Sequence, residues 1–120
     1  MENRGQQHHR ERLSEALREE IAALVEGELS DPRIGLVSVS EVQLSEDGKR
    51  ARVFVAMSGS AEEMEQSLKG LEAARGYIRH ELTRRLALRQ APEIVFMLDR
   101  SEQYGGRIEE LLHRIQKRKS

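Results

Sequence analysis

A helical segment in the middle of the chain limits the possible folds more than any other feature of the sequence. It begins at Ser60, which is followed three positions later by Glu63, the pattern of a capping box at a helix N-terminus. Apolar residues then recur with a helical period as far as Leu86, which exceeds the roughly 8–20 residues of a typical globular helix. Gly70 and Gly76 lie within this period, and glycine disfavours a helix interior by about 1 kcal/mol relative to alanine. The segment therefore predicts two helices joined by a kink, which we place at Gly76 because acidic residues precede it and arginines follow it.

Apolar patterns predict the other elements of an α+β domain. In the first strand the alternation slips by one residue between Ser40 and Glu41, so we expect a β-bulge there. The elements follow the order αββααβ with an extra C-terminal helix. They are a helix over residues 10–28, strands over 36–44 and 50–57 joined by an Asp-Gly turn, the kinked helices ending at 91–92, a strand buried on both faces over 93–98, and a helix from about residue 107.

The length of 120 residues and the hydrophobic fraction of 38% suffice for one core but not for two. We divide the chain into a flexible lead-in over residues 1–9, a single domain over 10–116 and a basic end over 117–120. No apolar run approaches the roughly 18 residues of a membrane span, and the first residues are too polar for a signal peptide. These features predict a soluble, cytoplasmic protein.

The sequence offers little for catalysis or metal binding. It contains no cysteine, P-loop or GxGxxG, and its four histidines lack the spacing of metal ligands. A small enzyme centred on Asp99 and Tyr104 is one alternative. Asp99 is better explained as a residue that bonds the backbone of the loop after the last strand. We expect no catalytic residue, no cofactor and no bound metal.

Charge is divided unevenly along the chain, although the formal net charge is only -1. The residues up to Glu72 carry -6, and those from Ala73 onward carry +5. Five arginines and one acid, Glu81, lie between positions 75 and 89. Arginine suits bidentate phosphate contact, whereas the aromatic fraction of 3% argues against a stacking platform for single-stranded bases. The alternatives are a nucleic-acid surface, a solvated helix face, or a protein-interaction module that uses the acidic helix 62–72 and the hairpin edge.

The junction between the two helices favours the nucleic-acid interpretation. Small residues there bring the backbone close to the surface, and the free N–H groups of the second helix, from Gly76 to Arg79, favour a phosphate. Together with the order αββααβ, this is typical of a type II KH-like domain, which clamps a nucleic-acid backbone. The usual GxxG is replaced here by Ala74-Arg75-Gly76.

From about Arg10 to Ile115 the sequence resembles the ribosome-binding factor A family of bacterial small-subunit assembly factors. The resemblance rests on an ordered set of segments, each of which is weak alone. They are S-D-P-R-I-G at 30–35, V-S-V-S-E-V at 37–42, D-G at 47–48, V-F-V at 53–55, L-E-A-A-R-G at 71–76, A-P-E-I-V-F at 91–96 and G-R-I-E-E-L-L at 106–112.

The resemblance implies a KH-like fold with an Ala-x-Gly at the kink. It also implies a monomer without enzymatic activity that binds the small (30S) ribosomal subunit, contacts the 16S rRNA precursor and assists late maturation of its 5′ region. Members of the family are linked to growth in the cold and are released from the subunit by assembly GTPases. They often carry a longer C-terminal tail than the few residues that follow Arg114 here.

Carried onto this sequence, the RNA-binding face of the family falls mainly on the arginines of the second helix, and Gly76 is required for the bend. Phosphate contacts position a protein without reading sequence, so we expect weak, salt-sensitive binding to free RNA and tighter binding to the assembling subunit. The predicted RNA-binding residues are Arg75, Gly76, Arg79, Arg84, Arg85 and Arg89, with Arg10, Arg12, Lys117, Arg118 and Lys119 added, and the predicted kink residues are Ala74 and Gly76.

Overall fold

The computed structural model describes residues 4–99 and has the predicted order αββααβ in that range. The C-terminal helix, Tyr104 and the basic end at Lys117, Arg118 and Lys119 lie outside the described residues. The elements are α1 (Arg4–Ala23), a π-helical turn (Leu24–Glu28), β1 (Val37–Leu44), β2 (Arg50–Met57), α2 (Ala61–Ala73), α3 (Arg75–Arg85) and β3 (Glu93–Leu98).

Helix α1 begins at Arg4, earlier than the predicted start near Arg10, so residues 4–9 are helical. The division of the chain at residues 9 and 116 stays a prediction. Leu17 and Ile21 are fully buried and form the apolar face of α1. The π-helical turn extends the helical region to Glu28, as the sequence predicts.

The sheet has the order β1-β2-β3, with β1 antiparallel and β3 parallel to the central strand β2. The predicted bulge is confirmed, because the register between β1 and β2 shifts between Val39 and Glu41. Beside it, the backbone N–H of Val39 donates to the Glu26 carboxylate of the π-helical turn at 3.2 Å. The turn between β1 and β2 has Gly48 at a φ of 72°, a conformation that favours glycine.

One face of the sheet and the helices enclose the core. The inward residues of β2 are Ala51, Val53, Val55 and Met57, and all of them are buried. Strand β3 differs from its prediction. It is an edge strand within the described residues, with Ile94 fully buried but Met97 39% exposed, so it is not buried on both faces. Its apolar run resembles that of a central strand because both kinds are rich in Ile, Val and Phe.

The capping box is confirmed: the Ser60 hydroxyl accepts from Glu63 N, and the Glu63 carboxylate accepts from Ser60 N. The helix is interrupted at Ala74, which is one of the two predicted kink residues and lies two positions before Gly76, where we placed the kink. Gly76 lies in the first turn of α3, and a Cβ there would meet nothing within 4 Å. The bend itself therefore does not require glycine at position 76. Gly70, by contrast, packs closely against Ile34.

Helix α3 ends at Arg85, well before the predicted end at residues 91–92. The N–H of Leu88 donates to the carbonyl of Thr83 at 3.1 Å, and Ala87 has a φ of 51°. This is the hydrogen bond of a Schellman motif, which usually places glycine where Ala87 stands. Arg89 consequently lies in the loop before β3 and not on the helix.

Candidate nucleic-acid interface

A groove lies where the β1–β2 turn, the start of α3 and the start of β3 meet. Because β2 and β3 are parallel, with Arg50 opposite Glu93, the turn before β2 and the loop before β3 lie side by side. The backbone N–H of Glu93 donates to the carbonyl of Lys49 at 2.8 Å and ties the two segments together. The groove has a volume of about 680 Å³ and is lined by residues 48–49, 75–76, 79 and 90–94.

Arg79 builds one wall of this groove. Its Nε donates to the carbonyl of Pro92 at 3.2 Å, and its Nη2 donates to the carbonyl of Ala91 at 3.1 Å. These bonds join α3 to the loop before β3 across thirteen and twelve residues of chain. Arg79 therefore brings a positive charge to the groove and also fixes its shape.

Lys49 and Arg75 stand exposed at the rim of the groove. Arg75 Nε donates to the carbonyl of Glu72 at 3.1 Å, which holds the side chain at the helix junction. Next to it, Gly76 leaves the backbone of the first turn of α3 open. Among the described residues, Glu93 is the one carboxylate that lines the groove, and it is 3.9 Å from Arg50. Lys49, Arg75 and Arg79 outnumber the single carboxylate of Glu93, so the groove carries a net positive charge. Such a charge suits a phosphate backbone.

Arg85, which the sequence predicts as an RNA contact, forms ion pairs within the protein. It lies 3.4 Å from Glu20, 2.9 Å from Glu28 and 3.1 Å from Glu81, so it joins α3 to α1 and to the π-helical turn. Its side chain is only 22% exposed. The hydrogen bond to Glu28 is the largest cause that raises the pKa of the Arg85 guanidinium above its usual value. Arg85 therefore has partners within the protein, and its contact with RNA stays a prediction.

Arg84 and Arg89 are exposed but are not among the residues that line the groove. Arg84 is 64% exposed and bonds Glu81 at 2.8 Å, and this bond leads the causes that lower the pKa of the Glu81 carboxyl. Arg10 is half-buried and lines a second cleft, of about 770 Å³, between α1 and the β1–β2 turn. Arg12 is exposed on α1 and lines neither cleft.

The structure thus brings Arg75, Gly76 and Arg79 together and adds two residues that the sequence did not indicate, Lys49 and Gln90. These two are distant from the helix junction along the chain. The signal that could have found them is the parallel pairing of β2 with β3, which aligns the starts of both strands.

Asp99, one of the two residues of the enzymatic alternative, lies within the described range, whereas Tyr104 does not. Asp99 is buried at the end of β3, where its N–H donates to the carbonyl of Val55 at 2.8 Å. Within residues 4–99, no three His, Asp or Glu side chains are grouped so that they could hold a metal ion. In the same range, no helix combines the length and apolar character needed to cross a bilayer.

The sequence model of the family described as "Ribosome-binding factor A" matches residues 9–112 of the chain. The chain is also 61% identical over 119 residues to the ribosome-binding factor A of Koribacter versatilis (strain Ellin345), covering 99% of this chain and 97% of that protein. This chain belongs to the ribosome-binding factor A family.

Solved structures of ribosome-binding factor A agree with the fold. The crystal structure of the protein from Thermus thermophilus is 30% identical, with a TM-score of 0.67 over 78% of this chain and 98% of that one. A homology model of the Thermus thermophilus protein, fitted into a cryo-EM map of its 30S complex, is 31% identical, with a TM-score of 0.61 over 75% of this chain and 94% of that one. The α+β, KH-like fold expected from the sequence is confirmed.

Proposed function

We propose that this protein binds the small (30S) ribosomal subunit during assembly, contacts the 16S rRNA precursor and assists late maturation of its 5′ region. The observation that carries the proposal is the likeness to the Thermus thermophilus ribosome-binding factor A, whose homology model was fitted into the map of a 30S complex. The protein acts as a cytoplasmic monomer without enzymatic activity. Assembly GTPases release it from the matured subunit.

The groove beside the helix junction is the part of the surface that we assign to the rRNA. Lys49 and Arg75 contact phosphates from the rim, and the open backbone at Gly76 allows a strand to approach closely. Arg79 is a positioning residue, since it holds the wall of the groove through Ala91 and Pro92. Contacts of this kind carry no sequence information, so the shape of the immature subunit supplies the specificity.

Co-sedimentation with purified mature and immature 30S subunits over a salt series tests the proposal. The variant Lys49→Glu/Arg75→Glu reverses both rim charges without touching the interior. Its matched control is Arg18→Glu/Lys69→Glu, which reverses two exposed or half-exposed charges on α1 and α2. We expect the wild type and the control to bind the immature subunit with similar affinity.

The rim variant should bind more weakly, and its affinity should depend less steeply on salt, by about one unit of slope for each phosphate contact that is lost. If both double variants bind like the wild type, the groove is not the RNA contact. If the wild type binds neither subunit, the ribosomal function is wrong for this chain.

A further inference from the structure

Tyr77 is a prominent feature of α3 that the groove does not use. Of the three aromatic side chains within residues 4–99, it is the only exposed one, with 51% of its surface open to solvent. Phe54 and Phe96 are half-buried on the sheet. An exposed aromatic ring can stack on a partner that offers a flat π-face.

The surroundings of Tyr77 limit what that partner can be. Arg84 follows seven positions later on the same face of α3, about 10 Å along the helix axis, and is 64% exposed. His80 is exposed between them. The only acid of α3, Glu81, is buried and bonded to Arg84 and Arg85. The solvent face of the helix therefore carries cationic and aromatic groups and no exposed carboxylate.

A partner with a negative charge and a flat π-face satisfies both requirements. Single-stranded RNA has these properties, because its unpaired bases are free to stack and its phosphates follow at regular spacing. Paired RNA offers the same phosphates but keeps its bases inside the helix. We propose that Tyr77 stacks on one unpaired base of the rRNA while Arg84 contacts a neighbouring phosphate. The inference rests on the proposed function and extends the contact surface from the groove to the opposite edge of α3.

The chain allows a direct test of the stack. It contains two tyrosines and no tryptophan, so Tyr104→Phe leaves Tyr77 as the only tyrosine. This variant is labelled with fluorotyrosine and followed by fluorine NMR at low salt. The probes are a short oligouridylate and a fully paired RNA hairpin with the same number of phosphates. We expect the fluorine signal to shift with the oligouridylate and to stay in place with the hairpin.

Co-sedimentation with immature 30S subunits provides the second arm. Tyr77→Leu keeps apolar area but removes the ring, and it should weaken binding about five-fold or more. Tyr77→Phe keeps the ring and should bind like the wild type. Leu36→Ala, which alters an equally exposed apolar residue outside α3, is the control and should also bind like the wild type.

Three results would overturn the inference. The first is a fluorine signal that responds equally to both RNAs, and the second is unchanged subunit binding by Tyr77→Leu. The third is weaker subunit binding by Tyr77→Leu without any response to the oligouridylate, which would assign the ring to a ribosomal protein. Each of them leaves the proposed function standing, whereas loss of all subunit binding by the wild type would refute that function independently of the stack.

Discussion

A Cβ atom on Gly70 would lie 2.7 Å from Cγ1 of Ile34, so the backbone of α2 touches the loop before β1 only because residue 70 has no side chain. Ser67, one turn earlier, closes the same contact. Its hydroxyl accepts from the N–H of Gly35 at 3.0 Å and donates to the carbonyl of Arg33 at 3.4 Å. The Asp-Pro-Arg-Ile-Gly segment is thereby fixed against α2.

The two helical glycines should respond in opposite ways to alanine. Gly70→Ala overpacks the contact with Ile34 and should lower the free energy of unfolding by about 1–3 kcal/mol. Gly76→Ala meets open space and should leave that free energy unchanged or raise it by up to about 1 kcal/mol. Urea titrations of both variants measure the difference. Adding Ile34→Ala to Gly70→Ala should cost less than the two single changes together, and strict additivity would contradict a direct contact.

Ala87→Gly is expected to stabilise the protein. Ala87 occupies the left-handed position after α3, with a φ of 51°, where a Cβ atom costs about 1 kcal/mol. Glycine relieves this strain, although the greater conformational freedom of glycine in the unfolded chain offsets part of the stabilisation. We expect the thermal midpoint to rise, as measured by circular dichroism. A lower midpoint would show that the Ala87 methyl group makes a contact worth more than the strain.

Substitutions of Arg84 and Arg85 should change the stability of the protein by very different amounts, although the two residues are neighbours in sequence. Arg85→Met removes the cation shared by Glu20, Glu28 and Glu81 and should clearly lower the urea midpoint of unfolding. Arg84→Met removes an exposed ion pair and should lower that midpoint much less. Urea denaturation measures both, and equal losses would contradict the assigned roles.

A fall in pH should destabilise the folded protein, partly because the Glu81 carboxylate becomes protonated. Hydrogen bonds from Arg84 and then Arg85 hold the pKa of this carboxyl below the 4.5 expected for the unfolded chain. The unfolded state therefore binds a proton more readily, and the stabilisation present above pH 4.5 is lost as the pH falls through the lower pKa of the folded state.

Thermal midpoints between neutral pH and pH 3 should show this loss, and Glu81→Gln should make the decline shallower without abolishing it. A decline remains because Asp31 and Asp47 also have a lowered pKa, caused first by hydrogen bonds from Arg33 and Ser45 respectively. Arg84→Met, which removes the main cause of the lowered pKa of Glu81, should act in the same direction. Identical profiles for the wild type and Glu81→Gln would contradict the prediction.

Features that depend on a few adjacent residues were predictable from the sequence. The cap formed by Ser60 and Glu63 involves only local hydrogen bonds. The bulge at Ser40 follows from a strict period of two, which cannot absorb a slip in any other way. The order of the elements and the small residues at the helix junction indicated a KH-like domain, and the family resemblance added the ribosomal context, which no local pattern could supply.

The remaining features depend on contacts between distant segments or on rare conformations. Arg85 looks like a surface cation because its partners Glu20 and Glu28 are 65 and 57 positions away. The end of α3 was missed because the Schellman motif contains alanine and not glycine at position 87. Lys49 could be assigned to the groove only after the pairing of β2 with β3 was known. Arg75 and Arg79 were predicted, but the role of Arg79 in holding the groove together was not.

The parallel pairing of β2 with β3 has a consequence for the order in which the chain folds. The β1–β2 hairpin closes over a five-residue turn, whereas β3 can join β2 only after α2 and α3 have bridged the distance between them. We therefore expect a kinetic hierarchy in which the hairpin forms early and the edge strand docks late. Amide protection in pulse-labelled refolding should reach Arg52, whose N–H lies on the β1 side of β2, before Val95, whose N–H lies on the β2 side of β3. The groove at the helix junction, which needs both strand starts and α3, is then assembled in the last step of folding.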